Sequence, residues 1–287
     1  MSTRASTTPN YLDAFPPEWT ANVVSMAMAD PAARASASAA GRFGLGMVAA
    51  LFGLFWGFFF YGLIDLLAFA QGEEFHAALV LSTGWGLLFL FLTAGPLLAL
   101  SLRASAVSPS ALAQVALVAA AVVAAAALSS SLVHMFVSAG LIATVVVLAV
   151  LARDRPWYVV RTWRWSAVPG ALVVLAFAPC CAYAWTSART TGGAQLTDDT
   201  WGLDHWPVQA ALPLALLLIC GLAAGHPSGW RLPTWSAGTA AAWFAVVCWL
   251  EPHLVASVSR PWAAITLLWA LAFVAATTLS ARERALV

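Results

Sequence analysis

Apolar runs close to twenty residues long recur through the chain, and no other feature of the sequence restricts its fold as strongly. They cover residues 43 to 69, 77 to 101, 110 to 128, 132 to 152, 166 to 187, 207 to 225, 234 to 252 and 262 to 280. The hydrocarbon core of a bilayer, about 30 Å thick, is crossed by roughly 20 helical residues. Backbone in lipid has no water to bond, so such runs become helices that satisfy their own amides. The alternation expected of a membrane barrel is missing. With 62% hydrophobic and only 9% charged residues, the chain is predicted to be an all-α, polytopic membrane bundle in contact with lipid. Its transmembrane domain is expected over residues 43–280, between segments 1–42 and 281–287. "SSS" (Ser129 to Ser131) separates the third run from the fourth, which together are too long for one tilted span and suit a tight hairpin.

Orientation follows from arginine, because the chain contains no lysine. With the N-terminus inside, Arg4, Arg34, Arg42, Arg103, Arg153, Arg155, Arg161, Arg164, Arg231, Arg282 and Arg284 face the cytoplasm, and Arg189 and Arg260 face out. That bias obeys the positive-inside rule, and an even number of spans returns the C-terminus to the same side. Exclusive use of Arg with abundant Ala and Val suggests a GC-rich bacterial genome and an inner (plasma) membrane location. Residues 1–42 are expected to be kept as a cytoplasmic segment, with "PPEWTANVVSMAMA" able to form a short interfacial helix. Tryptophans such as Trp165, Trp185, Trp206, Trp249 and Trp262 lie near span ends, as an aromatic belt requires. The stretch 153–164, basic and Trp-bearing, anchors to anionic lipid or offers a surface to a cytoplasmic protein partner. A net charge of +1 gives no footprint for nucleic acid.

The same topology sorts the remaining polar residues. His76, His134, His205 and His253 fall at outer ends of spans, and only His226 is inside. Asp65, Glu73, Glu74, Asp198, Asp199, Asp204 and Glu251 gather with them, so the outer face is anionic and rich in histidine. Within "TDDTWGLDHWPVQ", Asp204 and Pro207 suit the start of the sixth span as cap and first-turn residue, which leaves His205 without a task.

Two chemistries use such residues. His76, His134, His205 and His253 with nearby carboxylates form a ligand set for zinc, which would activate water for hydrolysis of a lipid or other apolar substrate. Histidines on facing helices also serve as axial ligands of haem, although His76, His205 and His253 sit shallow at helix ends. Asp65, Glu73, Asp204 and Glu251 are the acids that could act in catalysis. No H-E-x-x-H, G-x-S-x-G or dinucleotide glycine pattern is present, and without lysine there is no Schiff base or P-loop. Span centres carry almost no polar group besides Gln114, which argues against an ion-coupled carrier. The four cysteines, Cys180, Cys181, Cys220 and Cys248, read as small apolar packing residues. The sequence thus points to an accessory, sensory or assembly protein whose outer polar cap meets a partner or ligand, with a membrane metalloenzyme as the alternative.

Overall fold

The computed structural model describes residues 31–67, 73–102, 109–152, 165–190 and 204–285, and among them every regular element is helical. The interfacial helix expected at residues 16–29, the basic stretch 153–164, and Asp198 and Asp199 lie outside the described residues. So do the side chains of Glu73 and Glu74. Residues Gly44–Val287 form one compact unit; the chain up to Phe43 belongs to another, described only as the opening of the first helix.

Helix α1 (Pro31–Leu54) runs on into a π-helical stretch, Phe55–Phe59, and is followed by the five-residue α2 (Gly62–Leu66). Helix α3 (His76–Leu102) opens from a 3-10 turn and widens to a π-helix over Leu87–Ala94. Then come α4 (Pro109–Ser129), α5 (Leu132–Leu151), α6 (Ala167–Thr190), α7 (Trp206–Ala224), α8 (Arg231–Leu250) and α9 (Arg260–Ala285). Helix thus stands in all eight apolar runs. Among the described residues six helices, α3 to α7 and α9, are long and apolar enough to cross a membrane. The apolar part of α1, Phe43–Phe59, is shorter, and α8 is diluted by Arg231, Thr234, Ser236, Gly238 and Thr239. The chain is a helical bundle of the multi-pass membrane type.

The turn between α4 and α5 is as tight as its serines suggested, with Ser130 in the left-handed region at φ 54°. Helix α5 then turns His134, Ser138, Leu141, Thr144 and Leu148 inward, a stripe repeating every three to four residues. Its other faces, with Leu132, Phe136, Ile142 and Val146, are exposed to the lipid.

Helix α7 is the axis of the arrangement. It packs on α3, α4, α6 and α8, and 83% of its apolar window is buried, against 22% for α9. Helices come close where side chains are small: Gly53 and Gly57, four apart on α1, lie against Leu98 and Ala94 of α3, and Gly238 of α8 against Val274 of α9. Inside α3, Pro96 has no amide to return to the carbonyl of Leu92 four residues before it. Gln114 of α4 donates to that carbonyl at 3.1 Å and to Ser236 of α8 at 2.9 Å, which gives the nitrogen of a buried amide two partners in a helix of Ala and Val, while its Oε1 has none among the described residues.

Candidate functional site

The first apolar run does not fold as one helix over residues 43–69. Phe60 still bonds back to Phe55 in π-helical register at 2.8 Å, and then Tyr61 takes the left-handed conformation (φ 61°) and the chain restarts as α2. A left-handed tyrosine is unusual, and its surroundings hold it there. The indole N–H of Trp85 (α3) donates to the carbonyl of Phe60 at 2.9 Å, occupying an acceptor that the break exposes. Gly86 of α3 lets α2 approach closely: a Cβ there would come within 2.7 Å of the Leu66 backbone nitrogen and 2.8 Å of the Gly62 oxygen. Held in this way, α2 presents Asp65 to the interior, where it is only 4% exposed.

His205 reaches Asp65 from 140 residues away. Asp204 accepts the Trp206 amide at 2.9 Å and Pro207 occupies the first turn, so α7 starts where the sequence places it. That start fixes His205 in the interior, 2% exposed, with Nε2 at 3.3 Å from Asp65 Oδ2. Its ring overlies the indole of Trp85, with centroids 4.4 Å apart and planes at 32°. On the indole's other contact stands His134, 1% exposed and edge-on at 6.2 Å. Its Nδ1 meets Ser131 Oγ at 2.7 Å, and its buried Nε2 has no hydrogen-bond partner among the described residues. His134 lies within electrostatic reach of both Asp204 and His205.

The four histidines expected as one ligand set are therefore divided. His134 and His205 flank Trp85, His76 pairs with Glu251 at 3.6 Å on the surface, and His253 stands exposed. Among the described residues no group of three or more His, Cys, Asp or Glu side chains is placed to hold a metal ion. His205, read as shallow, is deeply buried because the break in α1 brings α2 over it. Of the acids, Asp65 joins His205, Asp204 caps α7 and Glu251 joins His76. All four cysteines are free.

Reasoning from sequence missed Trp85, Ser131, Gln209 and Tyr183. Gln209, one turn along α7 from His205, donates to Tyr183 Oη at 2.6 Å, and that hydroxyl donates to the carbonyl of Ala256 in the loop before α9. The glycines on either side of Trp85, in "TGWG", were the available signal. Gly84 makes room for the Gln209 amide as Gly86 does for α2.

A carboxylate facing an imidazole holds one proton between them, as acid plus neutral ring or as carboxylate plus imidazolium. Gain or loss of a further proton changes the charge of a site closed off from water, a costly step that the partner group tempers. No protein-family model, curated protein or solved structure matches the chain.

Proposed function

We propose that this is a bacterial plasma-membrane protein of sensory or accessory type, whose working part is the polar end of the bundle holding Asp65, His134 and His205, and that this end faces out of the cell. The observation that carries the reading is the Asp65–His205 pair itself. Ionisable residues buried in the interior of a membrane bundle are expensive and usually mark function. This pair is assembled at the cost of a broken helix, a left-handed tyrosine and two close glycine contacts. π-helical segments also concentrate at functional sites, and both of those described here adjoin the break. The orientation is supported by the excess of arginine at the opposite end, including Arg231, Arg282 and Arg284. Carriage of an ion across the membrane is disfavoured, because among the described residues the span centres hold amide and hydroxyl groups, such as Gln114, Thr93 and Thr144, and no charge. An outward protein partner would meet the loops beside the site, including the His76–Glu251 pair.

Two measurements test this. In intact spheroplasts of a cysteine-free version, a cysteine at Ser257 is expected to react with an impermeant maleimide, and one at Ser228 only after permeabilisation. The reverse pattern overturns the orientation. Asp65→Asn, at unchanged abundance in the membrane, is expected to reproduce the growth and expression changes of the gene deletion; wild-type behaviour removes the pair from the function.

A further inference from the structure

We infer that the ligand of the buried site is a proton, taken up by the Asp65–His205 pair. The inference rests on the reading that this pair is the working centre, and it names what the centre binds.

Space is the first argument. The Phe60, Trp85 and Phe89 rings pack on one another with centroids 4.8 to 5.4 Å apart, and His205 lies 4.4 Å from Trp85. Rings at those separations are in contact. No gap opens between these rings, and a proton needs none.

The second argument is the set of groups. The site offers an imidazole, the side chain that exchanges protons near neutral pH, paired with a buried carboxyl that can share the proton, and among the described residues no three His, Cys, Asp or Glu converge on a metal ion. The indole face lies against the His205 ring, so protonation there gains a cation–π contact that the neutral ring lacks. His134, edge-on across the same indole with its Nδ1 on Ser131, closes the site on that side.

The third argument is the charge around the pair. Asp204 stands next to His205 in the chain and acts electrostatically on His134 from the start of α7. Asp65 comes from α2, and His134 from α5. Helix α3 contributes Trp85, which does not titrate, and Tyr183 of α6 is linked only through Gln209. The groups placed around the pair are thus carboxylates and aromatic rings. In the uptake step a hydronium O–H bond breaks at the outer surface and an N–H or O–H bond forms on the pair. The hydronium leaves as water, and the charge stays in the site.

The test uses the full chain in lipid nanodiscs, stepped through a pH series. Infrared spectroscopy reads the carboxyl stretch, and nitrogen NMR reads the labelled imidazoles. One uptake step is expected to appear in both a carboxyl and an imidazole signal, each lost or displaced in Asp65→Asn and His205→Gln. Trp85→Phe is expected to move the step to lower pH, by weakening the contact that favours the charged ring. Thermal unfolding identifies any variant that fails to fold, and the signals of the pair are those that Asp65→Asn and His205→Gln remove. An Asp65 carboxyl signal and a His205 imidazole signal that stay fixed throughout the series overturn the proton proposal. The cell experiment with Asp65→Asn judges the working centre separately: a deletion phenotype with fixed signals sinks only the proton, and titrating signals without a phenotype sink only the centre.

Discussion

At Pro96 the chain gives up a backbone donor inside α3, and the amide of Gln114 from a neighbouring helix takes its place. Gln114→Leu is expected to cost about 1 to 3 kcal/mol, the usual range for leaving a buried acceptor unmet. In a Pro96→Ala background, where the backbone donor is restored, the same substitution should cost clearly less; unfolding of the four proteins in detergent, compared as a cycle, reads the coupling. A second residue can be checked by pH. His226, at the other end of α7, sits between two carbonyls, with Nδ1 at 3.0 Å from Ala224 O and Nε2 at 2.9 Å from Thr277 O. Burial holds its imidazole below the ordinary value of 6.5, the two carbonyls pull upward, and Arg284 adds to the depression. Because the unfolded chain then takes up a proton more readily than the folded one, the contribution of His226 is full above pH 6.5 and is lost as pH falls through the folded value. Unfolding followed between pH 7.5 and 5 should show this loss in the wild type and a flatter profile in His226→Asn, a residue that tolerates the left-handed backbone at φ 45°. The sequence displayed both residues as isolated polar letters. Their roles stayed hidden because each relies on a backbone carbonyl of another helix, Leu92 for Gln114 and Thr277 for His226, and a carbonyl leaves no mark in a sequence.

Among the elements, α2 decides most with fewest residues. Its seat is Gly86, so Gly86→Ala is expected to cost about 1 to 3 kcal/mol as an overpacked contact and to displace Asp65 from His205, abolishing the shared titration. Gly221→Ala, on α7 where an added Cβ meets nothing within 4 Å, is the control and should gain up to about 1 kcal/mol of helix propensity. If both substitutions behave alike, the close approach of α2 to α3 is not what holds the site. The eight apolar runs were legible because length and hydropathy alone create them. The break within the first was not, since "FWGFFFYGLIDLL" is apolar across the place where α-helix gives way to π-helix and then to a left-handed residue. For the same reason Asp65 and His205 could each be assigned to the outer face, whereas their pairing depends on a bend that hydropathy does not record. The expected hairpin at Ser129 to Ser131 needed only a length argument, and it formed as expected.

On the scale of the whole bundle, burial is distributed unevenly: α7 is mostly enclosed, while α5, α6 and α9 show most of their surface to lipid. The unevenness bears on how the protein is made. Helices leave the ribosome in order, so α7, bearing Gln209 and preceded by His205, emerges after α3, α4 and the short α2 that will surround it. It meets a groove already begun by α3, α4 and α6, which α8 later completes, and Gln209 finds Tyr183 on arrival. Helix α9, apolar on its exposed faces, needs no such reception. Nascent chains stalled just after α7 should therefore cross-link from Gln209 to earlier helices of the same chain, and chains stalled after α9 should cross-link from Leu268 to phospholipid. Synthesis from the N-terminus would then give this protein a schedule in which the costliest helix is delivered only once its berth exists.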